Sequence, residues 1–202
     1  TTALAGEDKV SAVSDATNLR FRDDVDGAAL GDACQTDGYI SDSEELQGLQ
    51  GLVLVYNGIL AAFKDNEVWL SEPYLPWGWR RSNVITLPHK VVDLLPHEQG
   101  LLVFTDLKTY YMSGQQPSDF VPTALAGEYP CIGKNSSLSL EGRAVYISSD
   151  GPAYISGTSI ALDNTSASRD QWRQIMAVNA VTNSDFIKLA HYGHRIMAYM
   201  GG

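Results

Sequence analysis

The chain has 202 residues, 44% of them hydrophobic, and a formal net charge of −10. That size and apolar content allow a buried core in one large domain or two small ones. The acidic balance excludes a general nucleic-acid binder, which needs a basic footprint, and no apolar run approaches the ~20 residues of a membrane-spanning helix.

The acid is unevenly placed: residues 1–50 hold eleven acidic and three basic side chains, and the other 152 hold thirteen and eleven. Residues 1–47 read as an acidic N-terminal segment. A strand is expected at Asn18–Asp23, where apolar and polar side chains alternate, then a turn at Asp23–Gly27 and a long connecting loop over 33–47. Cys34 and Cys131, the only cysteines, cannot build a secreted-type disulfide framework. One bridge or two reduced thiols are the options, and two reduced thiols are expected.

From Gly48 the pattern changes to short apolar, β-branched runs separated by turn residues. The first unit predicts strands at Leu49–Tyr56, Ile59–Phe63, Val68–Leu70 and Asn83–Leu87, with turns at Asn57-Gly58 and Asp65-Asn66. The second predicts Val91–Leu95, Leu101–Thr105, Thr109–Met112 and Phe120–Leu125. The third predicts Asn135–Leu140, Ala144–Ser148 and Ala153–Ser156, turning at Glu141-Gly142 and at Ser149–Gly151. Beyond it, Ser168 is an N-cap candidate with Gln171 three residues on, so a short helix is expected there.

Gly58, Gly100 and Gly142 lie 42 residues apart, and each opens a similar phrase. Compare Gly58-Ile-Leu-Ala-Ala-Phe, Gly100-Leu-Leu-Val-Phe-Thr and Gly142-Arg-Ala-Val-Tyr-Ile; a fourth phrase starts at Gly193. A period of about 40–50 residues built of short strands is the mark of propeller blades. The expected fold is therefore all-β: a β-propeller-like repeat of four-stranded antiparallel blades over 48–202. Three units and the start of a fourth are visible, and the whole reads as an excerpt of a longer polypeptide.

Few residues point to chemistry. Asp24-Val-Asp26-Gly27 resembles the start of a calcium loop, but position 28 is Ala and the distal glutamate is missing. A solvated turn is expected. Ser148-Ser-Asp150-Gly151 resembles the turn of a sialidase-like Asp box, with its glycine one place early. Such boxes are structural, and no pair of carboxylates can be placed across one bond. His191 and His194 would face opposite sides of a strand, with no third ligand nearby for zinc. No catalytic residue, metal or cofactor is assigned.

The densest cluster is Trp69-Leu-Ser-Glu-Pro-Tyr74-Leu-Pro-Trp77-Gly-Trp79-Arg80-Arg81. Tyr74, Trp77, Trp79, Arg80 and Arg81 are the interface candidates, because Trp, Tyr and Arg anchor contacts. The alternative is a rigid interstrand loop whose aromatics cap a blade core.

At this cluster the chain resembles a family of tailed-bacteriophage virion proteins of the tail or its nozzle. The resemblance rests on Ser71-Glu-Pro-Tyr-Leu-Pro76 with Trp77-Gly-Trp79 after it, and on Gln47-Gly-Leu-Gln-Gly-Leu-Val-Leu54. Tyr129-Pro-Cys-Ile-Gly-Lys134, Ser149-Asp-Gly151 and Arg169-Asp-Gln-Trp172 follow in register, and Phe21–Gly31 resembles the strand and acidic turn ahead of the blades. It covers roughly residues 18–202 and departs from the family pattern at Trp77 and at Ser136-Ser137. What it implies is a structural virion component, a tail nozzle or hub protein. Such a protein would dock other tail proteins and copies of itself in a ring. DNA would pass through a lumen without specific binding, and no membrane would be involved. The alternatives left open are a carbohydrate- or receptor-binding propeller, with Trp77 and Trp79 stacking on sugars, and a glycan-cleaving propeller enzyme.

Overall fold

A computed structural model of the chain describes residues 38–40, 43–140, 142–163, 168–179, 187–192 and 195–200, all within a compact unit from Gly38 to Gly202. The expected Asn18 strand, the acidic turns and Cys34 lie outside the described residues, as do Glu141, Gly193 and His194.

Three antiparallel four-stranded meanders follow one another. Sheet 1 holds β1 (Gln50–Val55), β2 (Ile59–Lys64), β3 (Glu67–Glu72) and β4 (Leu75–Thr86). Sheet 2 holds β5 (Val91–His97), β6 (Gly100–Thr105), β7 (Thr109–Ser113) and β8 (Thr123–Ala124). Sheet 3 holds β9 (Ser137–Leu140), β10 (Arg143–Ser148), β11 (Gly151–Ser156) and β12 (Ser159–Leu162). Sheet 4 is the hairpin of β13 (Ile187–Tyr192) and β14 (Arg195–Met200). A single helical turn, α1 (Ser43–Leu46), precedes sheet 1, and α2 (Arg169–Asn179) separates sheets 3 and 4. Its N-terminus carries the expected capping box: the Gln171 amide donates to Ser168 Oγ at 3.3 Å, and the Ser168 amide donates to Gln171 Oε1 at 2.9 Å.

The repeat is real, but its phase is looser than the glycines suggest. Ile59–Phe63, Leu101–Thr105 and Ala144–Ser148 all fall in the second strand of their sheets, and β14 takes the same place in the fourth. The hairpins close at Val55↔Ile59, His97↔Gly100 and Leu140↔Arg143. Gly58 and Gly142 thus precede the strand, whereas Gly100 begins it. Gly58 has φ +69°, and a Cβ there would lie 2.5 Å from the Tyr74 ring, so both conformation and space demand glycine.

Several expected boundaries move. The aromatic segment is not a loop: it forms most of β4. That strand keeps pace with β3 through register shifts on either side of the Ser71↔Trp79 pair, each taking three extra residues on β4. The expected strand at Phe120–Leu125 shrinks to Thr123–Ala124. Pro122 offers no N–H to a ladder, and a 3-10 turn at Pro117–Asp119 occupies the approach. Strand β12 had no counterpart in the sequence reading. Within the expected 33–47 loop, the described residues pack on sheet 1: Ile40 donates to the Trp79 carbonyl at 2.8 Å, and Leu46 packs beside Trp69 and Trp79.

The sheets stack face to face. One core joins sheet 1 (Val55, Ile59, Ala61, Phe63, Val68, Leu70) to sheet 2 (Leu94, Leu101, Val103, Met112). A second joins the other face of sheet 2 (Leu102, Phe104) to sheet 3 (Ala144, Tyr146, Ala153, Ile155). Every residue of β6 is therefore buried, which explains why its sequence shows no alternation. The Phe104 and Tyr146 rings meet at 4.8 Å between centroids, a pairing worth ~0.5–1.5 kcal/mol beyond burial. The first strands run side by side along the stack: β1 contacts β5, β5 contacts β9, and β9 contacts β13.

Candidate functional site

The five candidate residues on and beside β4 do not form one patch. The ladder places Trp79 opposite Ser71 and turns its indole inward, where only 7% is exposed, against Trp69 and Ala62 with Ile40, Leu46 and Leu49 around them. Trp79 is a core residue, which fits the core-capping alternative. Tyr74 and Trp77 stay outside, 76% and 41% exposed. Tyr74 occupies the second place of the β3–β4 turn at φ +60°, and its amide donates to the Gly58 carbonyl at 2.9 Å.

The two arginines brace the segment ahead of the sheet. Arg80 lies 4.6 Å over the Tyr39 ring. Its Nε is 3.2 Å from Glu72 Oε1, though not aligned to donate a hydrogen bond to it. Arg81 sits 4.8 Å over the Trp69 ring and pairs with Glu45 of α1 and Glu67 of β3. Such half-exposed ion pairs contribute little each. Their effect here is to position α1 over the Trp69–Trp79 cluster.

A second constellation brings together two stretches of the family resemblance. The β10–β11 turn projects Asp150, held by its amide donating to Ser148 Oγ at 3.2 Å. Arg173 of α2 donates to Asp150 Oδ1 at 2.9 Å through Nε, with its Nη2 also 2.9 Å away, and Arg169 lies 3.9 Å from Oδ2. Gly151 has φ +127°, and a Cβ there would meet the Trp172 ring at 3.1 Å. The turn is thus a docking point for the helix, a role that the Asp-box likeness did not disclose. Beside it, a cleft of about 270 Å³ opens between Val145, Ile147 and Tyr154 of sheet 3 and Leu189 and Ile196 of sheet 4.

The seam between β5 and β9 is polar, and sequence reasoning missed it. Ser137 Oγ donates to Asp93 Oδ2 at 2.7 Å, and His97 Nδ1 lies 3.0 Å from Ser139 Oγ. Asp93 and His97 are both about 6% exposed. Burial raises the Asp93 carboxyl above the usual range, while Ser137 and the backbone amides pull it back. The only sequence signal was a pair of ionisable residues at i and i+4 in an apolar strand, matched by Ser137 and Ser139 two apart in β9.

Cys131 is a free buried thiol, as expected of two unbridged cysteines. Burial pushes it up to about 12, so at neutral pH it is held as the thiol and not the nucleophilic thiolate. Near it, a cleft of about 430 Å³ opens where the starts of β1 and β5 meet the 132–134 turn, with Lys90, Lys134 and Asp65 on its rim and Phe63 in its wall. Among the described residues, no three His, Cys, Asp or Glu side chains converge as metal ligands. No helix among them is long and apolar enough to cross a membrane. No family model and no curated protein matches this chain.

Proposed function

We propose that this chain is a structural component of a bacteriophage virion, a nozzle or hub protein forming part of the tail wall. Its sheets would be the blades of a β-propeller-like arc, with the first strands β1, β5, β9 and β13 innermost. The observation that carries the architectural half is the side-by-side run of those strands combined with face-to-face sheet stacking. A propeller needs that geometry, and a flat two-layer sandwich does not.

The phage assignment rests on the resemblance. Two pairs of its separate stretches meet in space. Gln50 and the Ile132–Lys134 turn border one cleft, and Asp150-Gly151 receives Arg169–Trp172. The role we infer is mechanical and interfacial, without catalysis or cofactor: docking other tail proteins and further copies, and bordering a lumen through which DNA passes without specific binding. Assembly of particles with and without this chain tests it. Tails should fail to complete without it and recover when it is supplied. Complete, infective particles lacking it would overturn the proposal.

A second reading is favoured by one observation. Tyr74 and Trp77 expose aromatic surface near the β3–β4 turn, as a sugar-stacking adhesin would. Quenching of tryptophan emission by host glycans, lost in Trp77→Ala, would support that reading instead.

A further inference from the structure

We propose that a cleft between the first hairpins of sheets 1 and 2 binds a neutral saccharide. This site lies outside the tail-wall role proposed above and does not depend on it, and Trp77 is not part of its lining. The cleft has a volume of about 300 Å³, at the lower end of the ~300–1,000 Å³ of small-molecule sites. Tyr56 of the turn before β2, Gln99 of the β5–β6 turn, and Tyr111, Ser113 and Gln115 at the end of β7 line it. Two repeat glycines seat the aromatic rings at this end of the sheets. Gly100 lacks the positive φ of Gly58 and Gly142; space alone demands glycine there. A Cβ would lie 2.6 Å from Cζ and Oη of Tyr111 and 2.5 Å from the Met112 carbonyl oxygen, so the Tyr111 ring is held against the hairpin backbone. Tyr74 is held the same way on Gly58, at the turn that carries Tyr56. The third glycine, Gly142, meets nothing within 4 Å. Rings seated on a hairpin glycine thus belong to sheets 1 and 2, the pair that borders the cleft.

The chemistry of the lining selects the ligand. Tyr56 is 50% exposed and Tyr111 half-buried, so each presents ring surface and a hydroxyl. The Gln99 and Gln115 amides and the Ser113 hydroxyl add groups that both donate and accept hydrogen bonds. Among the described residues, the side chains of Tyr56, Gln99 and Gln115 have no hydrogen-bond partner, which leaves their polar atoms open to a ligand. Sugar hydroxyls likewise donate and accept, and the C–H face of a pyranose is apolar surface that an aromatic ring can cover. A purely apolar ligand would desolvate the amides without pairing them. No lining residue is charged, so an ionic ligand would give up water for no counter-charge. The Glu98 carboxylate acts on the Tyr111 hydroxyl from beside the cleft, and the chain carries a net charge of −10, which further disfavours acidic sugars. The ligand that matches is neutral, rich in hydroxyls and of mono- or disaccharide size.

Saturation-transfer NMR and calorimetric titration of the 202-residue chain with cellobiose, maltose and lactose test this. At least one of the three should bind saturably, with a Kd of about 1 mM or tighter, and glucuronate should bind at least tenfold more weakly. Tyr56→Ala and Gln115→Ala alter exposed side chains and should leave the circular dichroism unchanged. Each should weaken saccharide binding by about tenfold or more, and Trp77→Ala should leave it as it is. No saturable binding of any of the three disaccharides, glucuronate binding as tightly as they do, or wild-type affinity in either cleft variant would overturn the proposal. Binding lost in Trp77→Ala and kept in Tyr56→Ala would also overturn it, and would move the saccharide to the Tyr74–Trp77 surface. The particle-assembly test of the tail-wall role reads a different property, so a chain that binds no saccharide yet completes tails removes only the cleft, and a chain that binds saccharide yet is dispensable for tails removes only the tail-wall role.

Discussion

Replacing Trp79 by Ala should separate the two roles that the aromatic segment combines. Trp79 buries all but 7% of its surface between Trp69 and the residues ahead of sheet 1. Its loss removes a large side chain and leaves a void that the paired β3–β4 backbone cannot readily close. Substitutions of this kind cost ~3–5 kcal/mol, a large share of the ~5–15 kcal/mol that holds a domain together. Trp77→Ala, at a side chain 41% exposed, should cost less than Trp79→Ala. Urea unfolding followed by circular dichroism reads both without relying on tryptophan emission. The expected result is a large midpoint shift for Trp79→Ala, an unchanged slope and a clearly smaller shift for Trp77→Ala. Equal costs, or a Trp79→Ala cost below about 1 kcal/mol, would show that the Trp69–Trp79 cluster is not a core. In assembly, Trp77→Ala should fold normally and incorporate poorly if its exposed ring is a contact.

Three other outcomes follow from the same geometry. The raised Asp93 carboxyl favours folding fully below its unfolded value of about 3.9, and that contribution is lost as pH rises through its higher folded value. Stability should therefore fall with pH across that window, and Asp93→Asn should flatten the slope; an unchanged slope would contradict the burial. Asp150→Ala should speed amide exchange in α2 while changing global stability by less than about 1 kcal/mol, because the Arg169 and Arg173 pairs are half exposed. Cys131, buried and held near 12, should resist a thiol reagent at pH 8 in the folded chain and react once denatured; rapid labelling of the native protein at this site would refute its placement.

The elements were legible where local chemistry dictates them. Asn57-Gly58 and Asp65-Asn66 supply the positive-φ residues that tight hairpins need, and the structure uses Asn57, Gly58 and Asp65 in that conformation. The capping box at Ser168 was equally local. Elements set by distant partners were less visible. The continuation of β4 through Trp77–Arg81 depends on bulges that only the facing β3 determines. The truncation of β8 was foreshadowed by Pro122, yet its short pairing depends on β7. The candidate site was partly readable: composition singled out Tyr74, Trp77, Trp79, Arg80 and Arg81. It could not tell that Trp79 turns inward while Tyr74 and Trp77 stay out, since the irregular register breaks the alternation from which facing is read. The Asp93–Ser137 and His97–Ser139 links join residues 44 and 42 apart, and no local pattern encodes such pairs.

An electron-microscopy map of tailed-phage particles tests the proposed assignment most directly. Density is expected in the tail wall in which sheets 1, 2 and 3 are adjoining blades, with β1, β5 and β9 nearest the blade axis and sheet 4 continuing the arc. A particle without this chain, or one in which the three sheets do not share that axis, would contradict it.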